Sequence, residues 1–311
     1  MTFQESNVAE QGGDYCSLIE PITHAKKQSK KPHLRLVPVN TPEPGISTDA
    51  VALESLLNQI FNEDCLEFLA KAKACQLSPQ LIFTDPPYNL SGKSLVNNNN
   101  KTGGAFHKVN EDWDFMPPAE YLSFTKKWMK GCYDIQPEGG VIYICGSHHN
   151  IGEMLVTAKE VGYKVQNLIT WAKRNPMPSQ TRRTFTHSSE FILIATKGAG
   201  WVFNYEDLKL INDEQAKDGT TRAMRDVWSI GQCQGKERIK GTNGRSAHPT
   251  QKPELIVERA ITASCKPGDL VLDIFSGSGT TQSVAKKLGR NFSGCEKDIE
   301  YFKVATLRLQ S

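Results

Sequence analysis

The sequence predicts an α/β fold with a largely parallel sheet, and three features carry that prediction. Short apolar runs alternate with helically spaced segments, a double proline ends one run at Pro86-Pro87, and a glycine turn joins another to a helix at Gly277-Ser278-Gly279. The elements follow in order. Residues 1–48 are poor in apolar residues, carry Pro38, Pro42 and Pro44, and hold a basic run from Lys26 to Arg35 without an acid. That composition reads as a disordered tail outside the fold. From Val51, the spacing of Leu56, Leu57, Ile60, Cys65, Phe68 and Leu69 suits a packed strand and helix, and Leu81-Ile82-Phe83 reads as a short buried strand. Pro86-Pro87 takes the chain out of the sheet, because a proline has no N–H for the ladder. A polar, mobile loop is expected over Ser91 to Gly104. Helical spacing returns over Ala119 to Cys132, followed by a strand at Val141 to Cys145 and a helix from Ile151 to Val161 before Gly162. Strands are expected at Val165 to Trp171 and Phe191 to Ala195.

From Trp201 to Ala247 the periodicity fades, so residues 201–247 read as an insertion between two parts of one sheet. A regular unit then resumes: helix Pro253 to Ser264, strand Leu270 to Phe275, helix Thr280 to Leu288 and strand Asn291 to Cys295. Residues 49–311 thus form one domain around the insertion.

Composition removes several classes of function. Of 311 residues, 37 are basic and 34 acidic, a net charge of +3, which excludes a histone-like polycation. With 38% hydrophobic residues the chain has the makings of a core and is neither disordered throughout nor collagen-like. Its apolar runs fall far short of the ~18 residues of a membrane span. Met1 to Glu10 lacks the basic start and apolar stretch of a secretory leader, so a cytoplasmic protein is expected. The eight cysteines are scattered without a C-x-x-C pair, which reads as reduced thiols and no metal site. Adjacent His148 and His149 point apart and make a poor metal pair. His187 suits a local hydrogen bond, and Trp113 either borders a cleft or packs in the core.

Two loops carry chemistry. Asp273-Ile274-Phe275-Ser276-Gly277-Ser278-Gly279-Thr280-Thr281 runs from a strand into a helix, where ligands bind in open α/β sheets. No Gly-Lys-Ser/Thr completes a P-loop, and Gln282 stands where a dinucleotide fingerprint needs its third glycine. What remains is a nucleoside cofactor without an obligatory pyrophosphate. Glu296, at the tip of the next strand, is placed to accept both hydrogen bonds of a ribose diol. In the other loop, Asp85 and the Pro86 carbonyl offer two acceptors for the hydrogens of an aromatic amino group. Accepting both localises the nitrogen lone pair and makes a poor nucleophile a better one. Pro86 and Pro87 fix that geometry in advance, and Tyr88 offers a flat face on which a base can stack.

Together, Thr84 to Leu90 and Asp273 to Thr281 resemble the two signature motifs of the S-adenosylmethionine-dependent DNA amino-methyltransferases. With the acidic loop first and the glycine turn last, the order resembles the permuted β group, and His248-Pro249-Thr250-Gln251-Lys252-Pro253 is a third match. The resemblance implies a Rossmann-like, mixed seven-stranded sheet with helices on both faces. It puts Asp64 and Cys65 beside the cofactor's adenine, Thr250 and Lys252 toward its methionyl end, His248 among the cofactor-binding residues of the third motif, and Asp273, Phe275, Gly277 and Gly279 in the turn beneath it. It further implies methyl transfer to DNA, with adenine N6 favoured over cytosine N4 because Asp85 stands where the cytosine enzymes have serine. Residues 201–247 become a target-recognition region, and a restriction endonuclease and a second copy of the chain become candidate partners.

For DNA contact the basic candidates are Lys173, Arg174, Arg182, Arg183, Arg222, Arg225, Arg238, Lys240 and Arg245, since a flipped base must be offset by phosphate contacts. The competing expectations are a cytosine-N4 enzyme, an enzyme acting on RNA or a protein amide, and a nucleic-acid-binding module that has lost catalysis. A cytosine-C5 enzyme is disfavoured because the chain has no Pro-Cys pair to supply a thiol nucleophile.

Overall fold

The computed structural model describes residues 53–90, 114–176, 178–179, 182–241 and 244–310. The expected tail over 1–48, the loop over 91–104 and Trp113 lie outside these residues. Eight strands form one sheet: β1 (Gln59–Phe61), β2 (Leu81–Thr84), β3 (Val141–Gly146), β4 (Lys164–Lys173), β5 (Ser189–Thr196), β6 (Val227–Ile230), β7 (Leu270–Asp273) and β8 (Asn291–Cys295). Their spatial order is β1-β8-β7-β2-β3-β5-β4-β6. All neighbours run parallel except where β5 meets β3 and β4, so β5 alone among the described strands is reversed. The strand count corrects the expectation of seven. The added strand, β6, lies inside the 201–247 insertion and pairs with β4 at the sheet's edge.

The helices are α1 (Cys65–Ala74), α2 (Pro118–Ile135), α3 (Ile151–Val161), α4 (Tyr205–Leu210), α5 (Glu254–Ser264), α6 (Thr280–Lys287) and α7 (Ile299–Gln310). Strand alternation assigns them to two faces. On one side Ile82, Ile142, Ile144 and Leu272 pack with Phe68, Trp128 and Met154 of α1, α2 and α3. On the other, Leu81, Phe83, Tyr143 and Val271 pack with Ile256, Val257, Ile261 and Val284 of α5 and α6. Strands buried on both faces read as continuous apolar runs, which is why β2 and β3 are legible in sequence. Asp64 caps α1 by accepting from the Leu66 amide at 2.9 Å, and α3 stops at Gly162, whose φ of 113° suits a residue without a Cβ. Strand β7 ends two residues earlier than expected. The Asp273 side chain accepts from the Phe275 amide at 3.0 Å and turns the chain out of the sheet.

The topology positions the site. β2 and β7 are parallel neighbours, yet the chain runs from β2 outward to β3 and from β7 outward to β8. Strand order therefore reverses between them, and a crevice opens at their carboxyl ends. The acidic loop leaves β2 there and the glycine turn leaves β7 beside it. No helix among the described residues is long and apolar enough to cross a membrane.

Candidate active site

The loop after β2 is held from behind. Asp114 accepts from the Asn89 and Leu90 amides at 2.7 and 2.9 Å, and the Asn89 side chain exchanges two hydrogen bonds with the Met116 backbone at 2.9 and 2.8 Å. These contacts stabilise Asn89 at a φ of 56°, a conformation asparagine tolerates better than most residues. The Tyr121 hydroxyl donates to the Pro87 carbonyl at 3.0 Å and accepts from the Asn150 amide at 3.0 Å. The Pro87 carbonyl is thereby committed to the scaffold.

Asp85 sits in a buried chain of charges. Lys252 donates to its Oδ2 at 2.6 Å and approaches the Glu190 carboxylate at 3.7 Å. Glu190 also pairs with Lys173 and accepts from the Tyr88 hydroxyl at 3.5 Å. Burial raises the Asp85 pKa, and the Lys252 ammonium opposes that shift. Burial alone would lower Lys252, but Asp85 and Glu190 together hold it above its ordinary value. For Glu190, burial is outweighed by Lys252 and Lys173, so its pKa falls. Two acids and two bases thus balance in charge. The other Asp85 oxygen, Oδ1, is buried and has no hydrogen-bond partner among the described residues. An unpaired buried acceptor costs about 1–3 kcal/mol, and a donor arriving with the ligand recovers it. The Lys252 ammonium also lies 5.2 Å from the centre of the Tyr88 ring.

Across the crevice, Gly277 and Gly279 take φ values of 50° and 72°. A Cβ on Gly279 would stand 3.0 Å from Ala305 of α7, so this glycine serves the packing of that helix. Both Asp273 oxygens are engaged, one with the Phe275 amide and one with the Thr281 hydroxyl at 2.6 Å, while burial pushes its pKa up to about 7. Glu296 accepts from the Gly277 amide at 2.7 Å and the Asp298 amide at 2.8 Å. Each of its oxygens retains a second lone-pair site for a diol, and burial raises its pKa. His248 packs edge-on against Tyr301 at 4.4 Å and accepts from the Thr250 amide at 3.4 Å. Burial first, then Lys252, lowers its pKa to about 4, so it is neutral at pH 7.

One pocket of about 940 Å³, mouth included, joins the two loops. Of the residues singled out in sequence, it brings together Asp85, Pro86, Pro87, Tyr88, His248, Thr250, Lys252, Asp273, Phe275, Gly277 and Glu296. Asp64, Cys65 and Gly279 are not among its lining. Asp64 caps α1 and meets Lys297 at 3.1 Å, and Cys65 is buried, with burial raising its thiol pKa. Sequence reasoning missed Glu190, Asp114 and Tyr301. Glu190 follows a polar loop, and its lysine partners lie far away in the chain, so no local pattern announces it.

The basic candidates divide. Lys173 is half-buried against Glu190, Arg225 pairs with Glu214 at 2.7 Å, and Arg238 is tied to Ser246 at 2.7 Å and the Pro249 carbonyl at 3.2 Å. Each of these three thus has a partner within the chain, and Arg225 is exposed as well. Arg174 is exposed but donates to the Ser229 carbonyl at 2.9 Å. Arg182, Arg183, Arg222, Lys240 and Arg245 are exposed. Among the described residues no group of three His, Cys, Asp or Glu side chains is arranged to hold a metal ion.

A family model described as DNA methylase matches residues 80–307. The chain is 38% identical over 263 residues to the type II methyltransferase M.HinfI of Haemophilus influenzae, covering 83% of this chain and 70% of that protein. With the type II methyltransferase M2.DpnII of Streptococcus pneumoniae it shares 39% over 257 residues, covering 81% and 89%. The solved complex of M1.HpyAVI with SAM is similar at 28% identity and a TM-score of 0.58, covering 81% of this chain and 99% of that one. The cytosine-N4-specific PvuII DNA methyltransferase, at 18% identity, a TM-score of 0.59 and coverage of 80% and 87%, shares the fold.

Proposed function

The chain belongs to the DNA methylase family, and from that membership we propose that it moves the methyl group of S-adenosylmethionine onto the exocyclic N6 of adenine in DNA. One observation carries the reading beyond the family. Asp85, joined through the same pocket to the glycine turn, keeps a buried carboxylate oxygen with no partner among the described residues, as a site for an amino hydrogen requires.

The residues present suit the cofactor. Glu296 has acceptor capacity for a ribose, and the turn around Gly277 lies beneath it; His248, Thr250 and Lys252 line the same pocket. Bound there, S-adenosylmethionine supplies an electrophilic methyl carbon. Asp85 Oδ1 and the Pro86 carbonyl accept the two amino hydrogens and turn the nitrogen lone pair toward the pocket. The Tyr88 ring supports the base by stacking, worth roughly 1–3 kcal/mol. Lys252 orients Asp85 and favours its ionised form against burial, while Glu190 holds Lys252 from its other side. Asp85 acts as acceptor and orienter, with the proton leaving after transfer, when the nitrogen has become acidic. An acceptor on this loop reaches only a base that has left the helix, so the target is flipped out.

In this reading residues 49–311 are the catalytic domain and 201–247 the target-recognition region, within which β6 extends the sheet. The chain would then serve in the cytoplasm as the modifying half of a restriction-modification pair. Transfer of labelled methyl from S-adenosylmethionine is measured on DNA, RNA and protein, with digestion of the DNA to nucleosides. N6-methyl-2′-deoxyadenosine from DNA is the expected product, and Asp85→Ala should abolish it while cofactor binding persists. N4-methylcytosine as the product, or label on protein alone, would overturn the assignment.

A further inference from the structure

The loop between β4 and β5 carries Arg182-Arg183-Thr184-Phe185-Thr186-His187-Ser188, a stretch without an acid. Phe185 is 97% exposed, the highest value among the exposed large hydrophobics of the described residues. Its flanks are braced. The Thr184 hydroxyl lies 3.2 Å from that of Ser179, and the Thr186 hydroxyl accepts from the Ser179 amide at 3.4 Å. Both threonines are themselves exposed, and each bonds Ser179, one on either side of the outward ring. His187 stacks on His148 at 4.1 Å with the rings 8° from parallel, and His148 meets His149 at 3.8 Å. These stacks pin the loop to the segment leaving β3, at the end of the sheet where the site opens. Five residues on, Glu190 approaches Lys252 at 3.7 Å, and Lys252 holds Asp85. Five extended residues reach at most ~18 Å, so the Phe185 backbone lies within that span of Glu190.

Resting on the reading of the site as a DNA methyltransferase, we propose that Phe185 is a wedge that enters the base stack of duplex DNA and occupies the space vacated by the base delivered to Asp85. The partner is nucleic acid because the ring sits beside Arg182 and Arg183, both exposed, whose charge complements phosphate. Apolar side chains inserted between base steps unstack them and unwind the duplex. The wedge thus favours the extruded base without touching it.

The test uses the full chain as wild type, Phe185→Ala and Phe185→Leu. Nicked circular plasmid DNA is closed by ligase in the presence of each protein, and the resulting topoisomers report unwinding. The wild type should unwind the plasmid, Phe185→Ala much less, and Phe185→Leu nearly as much as the wild type. Methyl transfer to the same plasmid should slow about tenfold in the alanine variant, with cofactor affinity kept within about twofold. Equal unwinding by wild type and Phe185→Ala, or none by the wild type, overturns the proposal. Phe185-dependent unwinding by a wild type that transfers no methyl group would overturn the reading of the site and uphold the wedge.

Discussion

Asp85 gives one oxygen to Lys252 and keeps the other buried and unpaired among the described residues, so its orientation is fixed before a base arrives. The same economy marks Glu296, which caps two backbone amides and still has room for a diol. Removing that carboxylate should weaken cofactor binding about ten- to a hundredfold, the loss of charge-assisted hydrogen bonds worth about 1.5–3 kcal/mol. Titration of Glu296→Ala with cofactor and, separately, with DNA checks this, and the DNA affinity should change much less. Asp273 yields a pH prediction. Its folded pKa of about 7 lies above the ~3.9 of an unfolded aspartate, so the folded state holds the proton more tightly. The associated stability is complete below about pH 4 and is lost as pH rises toward 7. The melting temperature of the wild type relative to Asp273→Asn should therefore fall steadily between pH 4 and 7; a flat difference would mean that Asp273 is ionised throughout. Asp85 was legible in the sequence because the double proline ends its strand beside it, and Asp273 because it opens the stretch that leads into the Gly277-Ser278-Gly279 turn. Glu190 was not, since its meaning comes from two lysines that only the fold brings to it.

Among the elements, β8, Asn291–Cys295, is legible from its place after α6, whereas β2, β3, β5 and β7 announce themselves as apolar runs because they are buried on both faces. β6 does not, because at the edge of the sheet Val227 and Ser229 face solvent while Trp228 and Ile230 are buried, and four alternating residues are too few to stand out. α4, of six residues, is hidden for the same reason. α1 tests a different point. Asp64 caps it and is absent from the pocket lining, so Asp64→Ala should cost about 1 kcal/mol, or roughly 2–4 °C in melting temperature for a domain of this size. Cofactor affinity should hold. A fall in affinity beyond that expected from the lost stability would return Asp64 to the binding site.

At the scale of the whole molecule, a net charge of +3 gives little general attraction for DNA, so binding must draw on a few local bases. Lys240 is an exposed base, and Arg238 is partly buried and bonded within the chain. Lys240→Ala should reduce the slope of log K against log salt by about 0.9, the share of one phosphate contact, with the melting temperature unchanged. Arg238→Ala should do the opposite, since its guanidinium braces Ser246 and Pro249. Binding isotherms at several salt concentrations, with melting curves of the same variants, separate the two. The reversed strand β5 has the widest reach. Because it runs against its neighbours, its first residues lie at the face to which β2, β3 and β7 bring their last, and Glu190 stands opposite Trp171 there. Anyone exchanging the β4–β5 loop between relatives to alter target choice would also shift the alignment of β5. A slip of one position would turn Glu190 to the far side of the sheet and leave Lys173 and Lys252 without their common acid.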